Sequence, residues 1–280
     1  MEKRISRRKF RLVLAAGFIR LHRLFKAPPK KFSSFVGSLF LTFLNPDELK
    51  NQVRNYYDLP DAIENECRRV EEGLSEEESY FVSTYFKGKN NCLVLGSGSG
   101  RESLALAKFG LEVTGIDTSA VLVEKATGHA RRFALTCQFE VEDMFKGPQA
   151  VRKYDILFLT GNMYSAIPTR QRRIEFLEHA RTLLKEGGFF YLEFLGENGL
   201  RKRKWKFRIK KWLAVLCDGN RDLEEGDVLY VPGHYFHLFR EQEFLNEIEE
   251  GGWEVVELNL ARACGVFSPK KKLTEKNAKR

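Results

Sequence analysis

The stretch Cys92-Leu93-Val94-Leu95-Gly96-Ser97-Gly98-Ser99-Gly100-Arg101-Glu102 constrains this chain more than any other. A short apolar run stops at three alternating glycines, and a helix-forming sequence starts directly after them. Glycine lets a chain turn tightly and brings backbone N–H groups against a ligand at a helix N-terminus. A plain turn between strand and helix uses the same residues, so the meaning of the loop depends on the chain beyond it.

Beyond the loop, two kinds of segment alternate. Strand-like apolar runs at 92–95, 112–116, 137–141, 154–160 and 188–194 are separated by helical patterns near 101–109, 119–132 and 170–185. Such alternation predicts an α/β fold with a doubly wound, mainly parallel sheet. A helix at 241–250 and strands at 253–260 and 263–268 extend it, and Val228 to Phe239 reads as extended. Asp117 ends the second strand, 21 residues past Gly96, where a carboxylate accepts both hydrogen bonds of a ribose diol. By itself Asp117 reads equally as a cap for the helix beginning near 119. Loop and acid together favour a nucleoside. A pyrophosphate loop needs G-x-G-x-x-G, but position 101 is arginine, which argues against a hydride-transferring dinucleotide enzyme.

With these residues in place, the sequence resembles the class I S-adenosylmethionine-dependent methyltransferases, over residues 75–268. Gly96-Ser97-Gly98-Ser99-Gly100 is similar to that family's first motif and Asp117 to its ribose-binding acid, with Leu122 as the apolar residue under the adenine. Glu142-Asp143-Met144 resembles the motif that reads the adenine edge. Tyr154 to Asn162 resembles the fourth motif, whose end lies beside the transferable methyl, and Leu183 to Leu192 the turn into the fifth strand. The resemblance implies a seven-stranded Rossmann-like sheet and S-adenosyl-L-methionine as cofactor. It further implies a cofactor set of Gly96, Ser97, Gly98, Gly100, Asp117, Thr118, Leu122, Asp143, Met144 and Thr160. Many members carry an acid two residues before the first glycine, where this chain has Val94. Glu102 is a substitute, or else the partner of a surface salt bridge.

The remaining residues frame that domain. Residues 1–74 read as a helical extension. In it, Asn45-Pro46-Asp47-Glu48 starts a helix through about 56, a second comes near 60–72, and Ser75 with Glu78 forms a capping box. Ser6-Arg7-Arg8-Lys9-Phe10 looks like a twin-arginine export signal, but the apolar run breaks at Arg20 with no cleavage site after it, so a cytoplasmic protein is expected. Five dispersed cysteines without a C-x-x-C pair predict reduced thiols and no structural metal.

The formal charge of +9 is unevenly divided: +10 on residues 1–31, +8 on 200–211, +5 on 268–280 and −14 on the rest. The first of these is a basic amphipathic helix that either packs on the domain or lies on anionic lipid. The insert at 200–211 interleaves aromatics with cations. Packing Trp205, Ile209 and Trp212 inward competes there with peripheral contact to an anionic membrane and, more weakly, with RNA phosphates. The tail 269–280 is Lys-rich.

Methyl transfer from a sulfonium needs alignment above all, and a base only when the acceptor is an acidic O–H or N–H. Asn162, at the end of the fourth strand, and His237 are the candidate catalytic residues, with His234 behind them. A buried structural histidine is the competing reading. Tyr56, Tyr57 and Tyr164 either line the site or pack. Thr160-Gly161-Asn162-Met163 lacks the (N/D)-P-P-(Y/F) motif that holds a flipped base, which argues against nucleic acid. The sequence therefore reads as a methyltransferase acting on a small-molecule or lipid-precursor acceptor at oxygen or nitrogen. The alternatives are a catalytically degenerate binding domain and an RNA methyltransferase.

Overall fold

A computed structural model describes residues 37–38, 41–144, 152–197, 204–216, 219–230 and 234–270, the side chains of 204–206 excepted. Residues 1–31 and the tail beyond 270 lie outside them, so the amphipathic helix read there is not among the described elements.

Two helices precede the sheet, α1 (Pro46–Tyr57) and α2 (Pro60–Arg69), the latter continued by a 3-10 turn at Val70–Glu72. Asn45 and Glu48 cap each other's backbone N–H groups, both at 3.0 Å, as the residue pattern predicts. Ser75 and Glu78 do the same at the start of α3 (Glu76–Tyr85).

The alternating unit runs β1 (Asn91–Leu95), α4 (Arg101–Lys108), β2 (Glu112–Asp117), α5 (Ala120–Arg132), β3 (Cys137–Val141), β4 (Tyr154–Leu159), α6 (Arg170–Leu183) and β5 (Leu184–Glu193). After these come α7 (Lys204–Leu216), a hairpin of β6 (Asp227–Tyr230) and β7 (His234–His237), then α8 (Glu241–Glu250), β8 (Trp253–Asn259) and β9 (Cys264–Pro269). The large sheet has the order β3-β2-β1-β4-β5-β9-β8, with β9 antiparallel to both its neighbours and the other pairs parallel. This is the expected seven-stranded α/β sheet.

Both faces of the sheet are covered. Leu93, Leu95, Leu157, Leu159 and Leu192 point into one apolar layer with Phe244 and Trp253, and Cys92, Val94, Phe158 and Tyr191 into the other with Phe81 and Phe86. The strand period of two thus sorts consecutive residues of β1 between two cores.

Strand order reverses between β1 and β4, and a crevice forms at such a point beyond the carboxyl ends of the strands. Register says what lines it. Leu95 pairs with Ile116 and with Leu159, so Gly96 stands beside Asp117 on one side and Thr160 on the other.

The extended segment predicted at 228–239 is the β6–β7 hairpin. Leu49 and Val53 of α1 pack on its Leu229 and Tyr235, which seats α1 across the crevice. Helix α7 contradicts the inward packing of Ile209 and Trp212: both are exposed, at 47% and 62%. Ala214 is buried, with Phe207 partly buried on the same cluster as α1. Positions 207 and 214 lie seven apart and share one face, so 209, 212, 213 and 216 share another.

Candidate active site

The glycine loop takes the form its sequence requires. Gly96, Gly98 and Gly100 all have positive φ, at 69°, 51° and 97°. A Cβ at Gly96 would stand 3.3 Å from Met144 Sδ. Asp117 fastens the loop, accepting from Gly98 N and from Ser119 N, each at 2.9 Å. Two of its lone-pair positions are thereby occupied, and others remain for a diol. Burial pushes the Asp117 carboxyl above its usual range, against those backbone hydrogen bonds.

Around this loop lies a cavity of about 440 Å³ lined by Gly96, Ser97, Gly98, Asp117, Thr118, Leu122, Asp143, Met144 and Thr160. Nine of the ten residues expected to hold a cofactor are brought together here. Gly100 is not, and its place is corrected: a Cβ on it would meet Ala126 Cβ at 3.3 Å and Phe139 Cζ at 3.4 Å, so it lets α4 approach α5 and β3.

Of the other wall the sequence suggested Tyr57, as a residue that either lines the site or packs, while Lys50 and Glu66 were not read from it. Lys50 of α1 reaches Asp143 at 2.7 Å, Tyr57 reaches Met163 Sδ at 3.9 Å, and Glu66 of α2 lies 3.2 Å from the Cβ position of Gly98. Helices α1 and α2 therefore roof the loop. Their polar residues carried no motif, but capped helices directly before a βαβ unit are a signal that they close on it.

Val94 belongs to the apolar core and offers the cavity nothing. Glu102 lines the cavity and is ion-paired as well: its Oε1 accepts from Thr160 Oγ1 and from Arg101 Nη2, both at 2.5 Å. The ion pair is buried and not the surface salt bridge that competed for this residue, because Arg101 spans from Glu102 to the buried Glu78.

Of the candidate catalytic residues, Asn162 (φ 58°) lies in a second cavity that adjoins the first at Tyr57, Glu66, Arg69 and Gly161. His237 lies in neither. It is fully buried, with Nδ1 2.9 Å from Asp227 Oδ1 and Nε2 3.1 Å from Glu243 Oε1. Burial lowers its pKa, but these carboxylates override that and raise it. Both ring nitrogens are committed, so the histidine expected as a base is a structural residue. Tyr164 is likewise buried, donating to Glu247 at 2.7 Å, which is the packing reading. Glu224, Asp227 and His237 come close enough to share an ion, but Glu224 accepts from Arg173 and Asp227 is held by His237 and Tyr235.

Residues 92–188, which hold the loop, Asp117, Asp143 and the end of β4, match the family model of the methyltransferase domain. Residues 92–188 are a methyltransferase domain. Ubiquinone biosynthesis O-methyltransferase of Coxiella burnetii is 31% identical over 112 residues, 40% of this chain and 46% of that protein. The chain thus spans about half the length of the curated relatives it matches.

The solved structure of the CcbJ methyltransferase of Streptomyces caelestis superposes with a TM-score of 0.54 at 18% identity, over 70% of this chain and 89% of that one. The magnesium protoporphyrin IX methyltransferase of Synechocystis, solved with bound S-adenosylmethionine, gives 0.51 at 14% identity over 78% and 95%. The methyltransferase domain therefore has the class I fold, and α1 and α2 precede it in sequence while sharing its cavity.

Proposed function

We propose that this protein transfers a methyl group from S-adenosylmethionine to an oxygen or nitrogen of a small-molecule or lipid-precursor acceptor. The observation that carries this reading is the pairing of cavities. One is lined by the glycine loop and Asp117, and the second opens from it at Gly161, where the fourth strand ends.

The donor-side residues fit a nucleoside. Asp117 would accept from the ribose hydroxyls, Leu122 and Met144 would flank the base, and Asp143 would take its edge. When bound, the cofactor supplies an electrophilic methyl. The chain's own task is alignment, worth on the order of 7–11 kcal/mol in favourable cases. The O-methyltransferase named among the relatives supports oxygen as acceptor. The test is incubation of the full chain with methyl-labelled S-adenosylmethionine and a cell extract separated into lipids, metabolites and RNA. Label in lipids or metabolites is expected. Label in RNA alone contradicts the acceptor class, and no label anywhere favours a degenerate domain.

The surface of α7 bears on where such an acceptor would be met. Ile209, Trp212, Leu213 and Leu216 form an exposed apolar stripe, and residues 200–211 carry eight cations and no acid. Apolar side chains beside cations favour the interface of an anionic bilayer, and no helix among the described residues is long and apolar enough to cross one. Phosphatidylserine vesicles should pellet the full chain, and Ile209→Ser with Trp212→Ser and Leu216→Ser should lower the bound fraction about tenfold. Equal pelleting of the two proteins would exclude α7 as the contact.

A further inference from the structure

The second cavity, about 460 Å³, holds a carboxylate to which no role has been given. Glu193 is the last residue of β5. Leu192 pairs with Leu159, so Glu193 stands one position further on, beside Thr160 and Gly161. Its Oε2 accepts from Gly161 N at 2.9 Å and its Oε1 from Tyr191 OH at 3.1 Å. Gly161 lines both cavities, which places this carboxylate at their junction.

The same cavity also has an aromatic lining. The Tyr56 and His234 rings are in contact, with centroids 3.6 Å apart, and Tyr57 and Phe236 lie beside them. Among the described residues His234 Nε2 is buried without a hydrogen-bond partner, and burial lowers that ring's pKa. An orphaned ring nitrogen on an aromatic wall calls for a polar group from a ligand.

Resting on the function proposed above, we propose that Glu193 is the general base for a hydroxylated aromatic acceptor bound against the Tyr56–His234 wall. As the acceptor oxygen's lone pair forms the new O–C bond, the O–H proton passes to the Glu193 carboxylate. The methyl carbon's bond to sulfur breaks and its electron pair stays on sulfur. A carboxylate, a hydroxyl and a sulfonium become a carboxylic acid, a methyl ether and a neutral thioether, so charge balances.

The groups around Glu193 suit this role. Burial, with the charges of Glu78 on α3 and Glu102 on α4, pushes its carboxyl up to about 7, against the hydrogen bonds from Tyr191 and Gly161. Arg101 does not neutralise it, being spent on Glu78 and Glu102. Across the cavity Arg69 pairs with Glu66 and Glu72. Cys264, opposite Glu193 in the β5–β9 register, is a thiol whose pKa burial raises to about 11. A base titrating near neutrality transfers protons efficiently at physiological pH.

The test compares the full chain with Glu193→Gln and Glu193→Asp in three measurements. S-adenosylhomocysteine binding by calorimetry should be unchanged in both variants, which also shows that they fold. No binding by the wild type refutes the donor reading itself, separately from Glu193. In ¹³C-carboxyl spectra, one glutamate resonance missing from Glu193→Gln should titrate near 7. A midpoint in the ordinary carboxylate range overturns the proposal. With catechol as the acceptor probe, kcat/KM should rise with pH through neutrality. Glu193→Gln should lose about 10²-fold in kcat together with that limb, and Glu193→Asp should keep the limb. A Glu193→Gln protein that retains the limb overturns the base. Wild type that binds S-adenosylhomocysteine and leaves catechol unmethylated overturns the acceptor class.

Discussion

Arg173→Met is expected to destabilise the protein by about 3–5 kcal/mol, the usual cost of stripping one partner from a buried ion pair. The Arg173 side chain is fully buried. It donates to Glu247 at 2.9 and 2.8 Å and to Glu224 at 2.9 Å, and Glu247 is itself fully buried. Without the guanidinium, Glu247 retains the Tyr164 hydroxyl and a loose approach from Arg170 at 4.0 Å. The melting temperature should fall by roughly 10 °C for a chain of this size. Arg173→Met combined with Glu247→Leu should recover most of that loss, because removing both charges also removes the uncompensated one. A double variant no more stable than the single one would show that Arg173 acts through something other than this pair.

His237 belongs to the same knot and gives it a pH dependence. A histidine whose folded pKa is raised contributes stability that is complete below its ordinary value near 6.5 and lost as pH rises through the folded value. Thermal stability should therefore decline from mildly acidic to alkaline pH, and His237→Gln should flatten that slope. An unchanged slope would mean that His237 is neutral in the fold.

The sequence made the lining of the first cavity legible where chemistry and local geometry coincide. The glycine loop, Asp117 and the end of β4 announce themselves because turn, carboxylate and strand end must recur at fixed spacing. The sheet was legible for a related reason: strands covered on both faces read as apolar runs. Arg173 was hidden in Arg170-Gln171-Arg172-Arg173, a cation run of the kind that normally faces water. Its place on the apolar stripe with Leu177 and Ala180, at i, i+4 and i+7, was the available signal. Glu193, Glu66 and Lys50 reach the cavities through tertiary packing alone. So does the outward turn of Ile209 and Trp212, which is set by the face of α7 that meets α1's cluster. His237 misled because a His-aromatic-rich segment before the last helix fits an acceptor cap and a buried ionic knot equally well.

Asp117→Asn is expected to have the largest effect on ligand binding. The carboxylate is fixed by Gly98 N and Ser119 N, so its remaining lone pairs have a defined direction toward the cavity. A hydrogen bond to a charged group contributes about 1.5–3 kcal/mol, so its loss weakens affinity about 10- to 100-fold. The amide also places an N–H against a backbone N–H, which adds to the loss.

Calorimetric titration of the full chain and of Asp117→Asn with S-adenosylmethionine tests the central claim most directly. Saturable one-to-one binding by the wild type, weakened about 10- to 100-fold in a variant that still unfolds cooperatively, is the predicted result. Absence of binding by the wild type up to millimolar cofactor, or equal affinity in the two proteins, would contradict it.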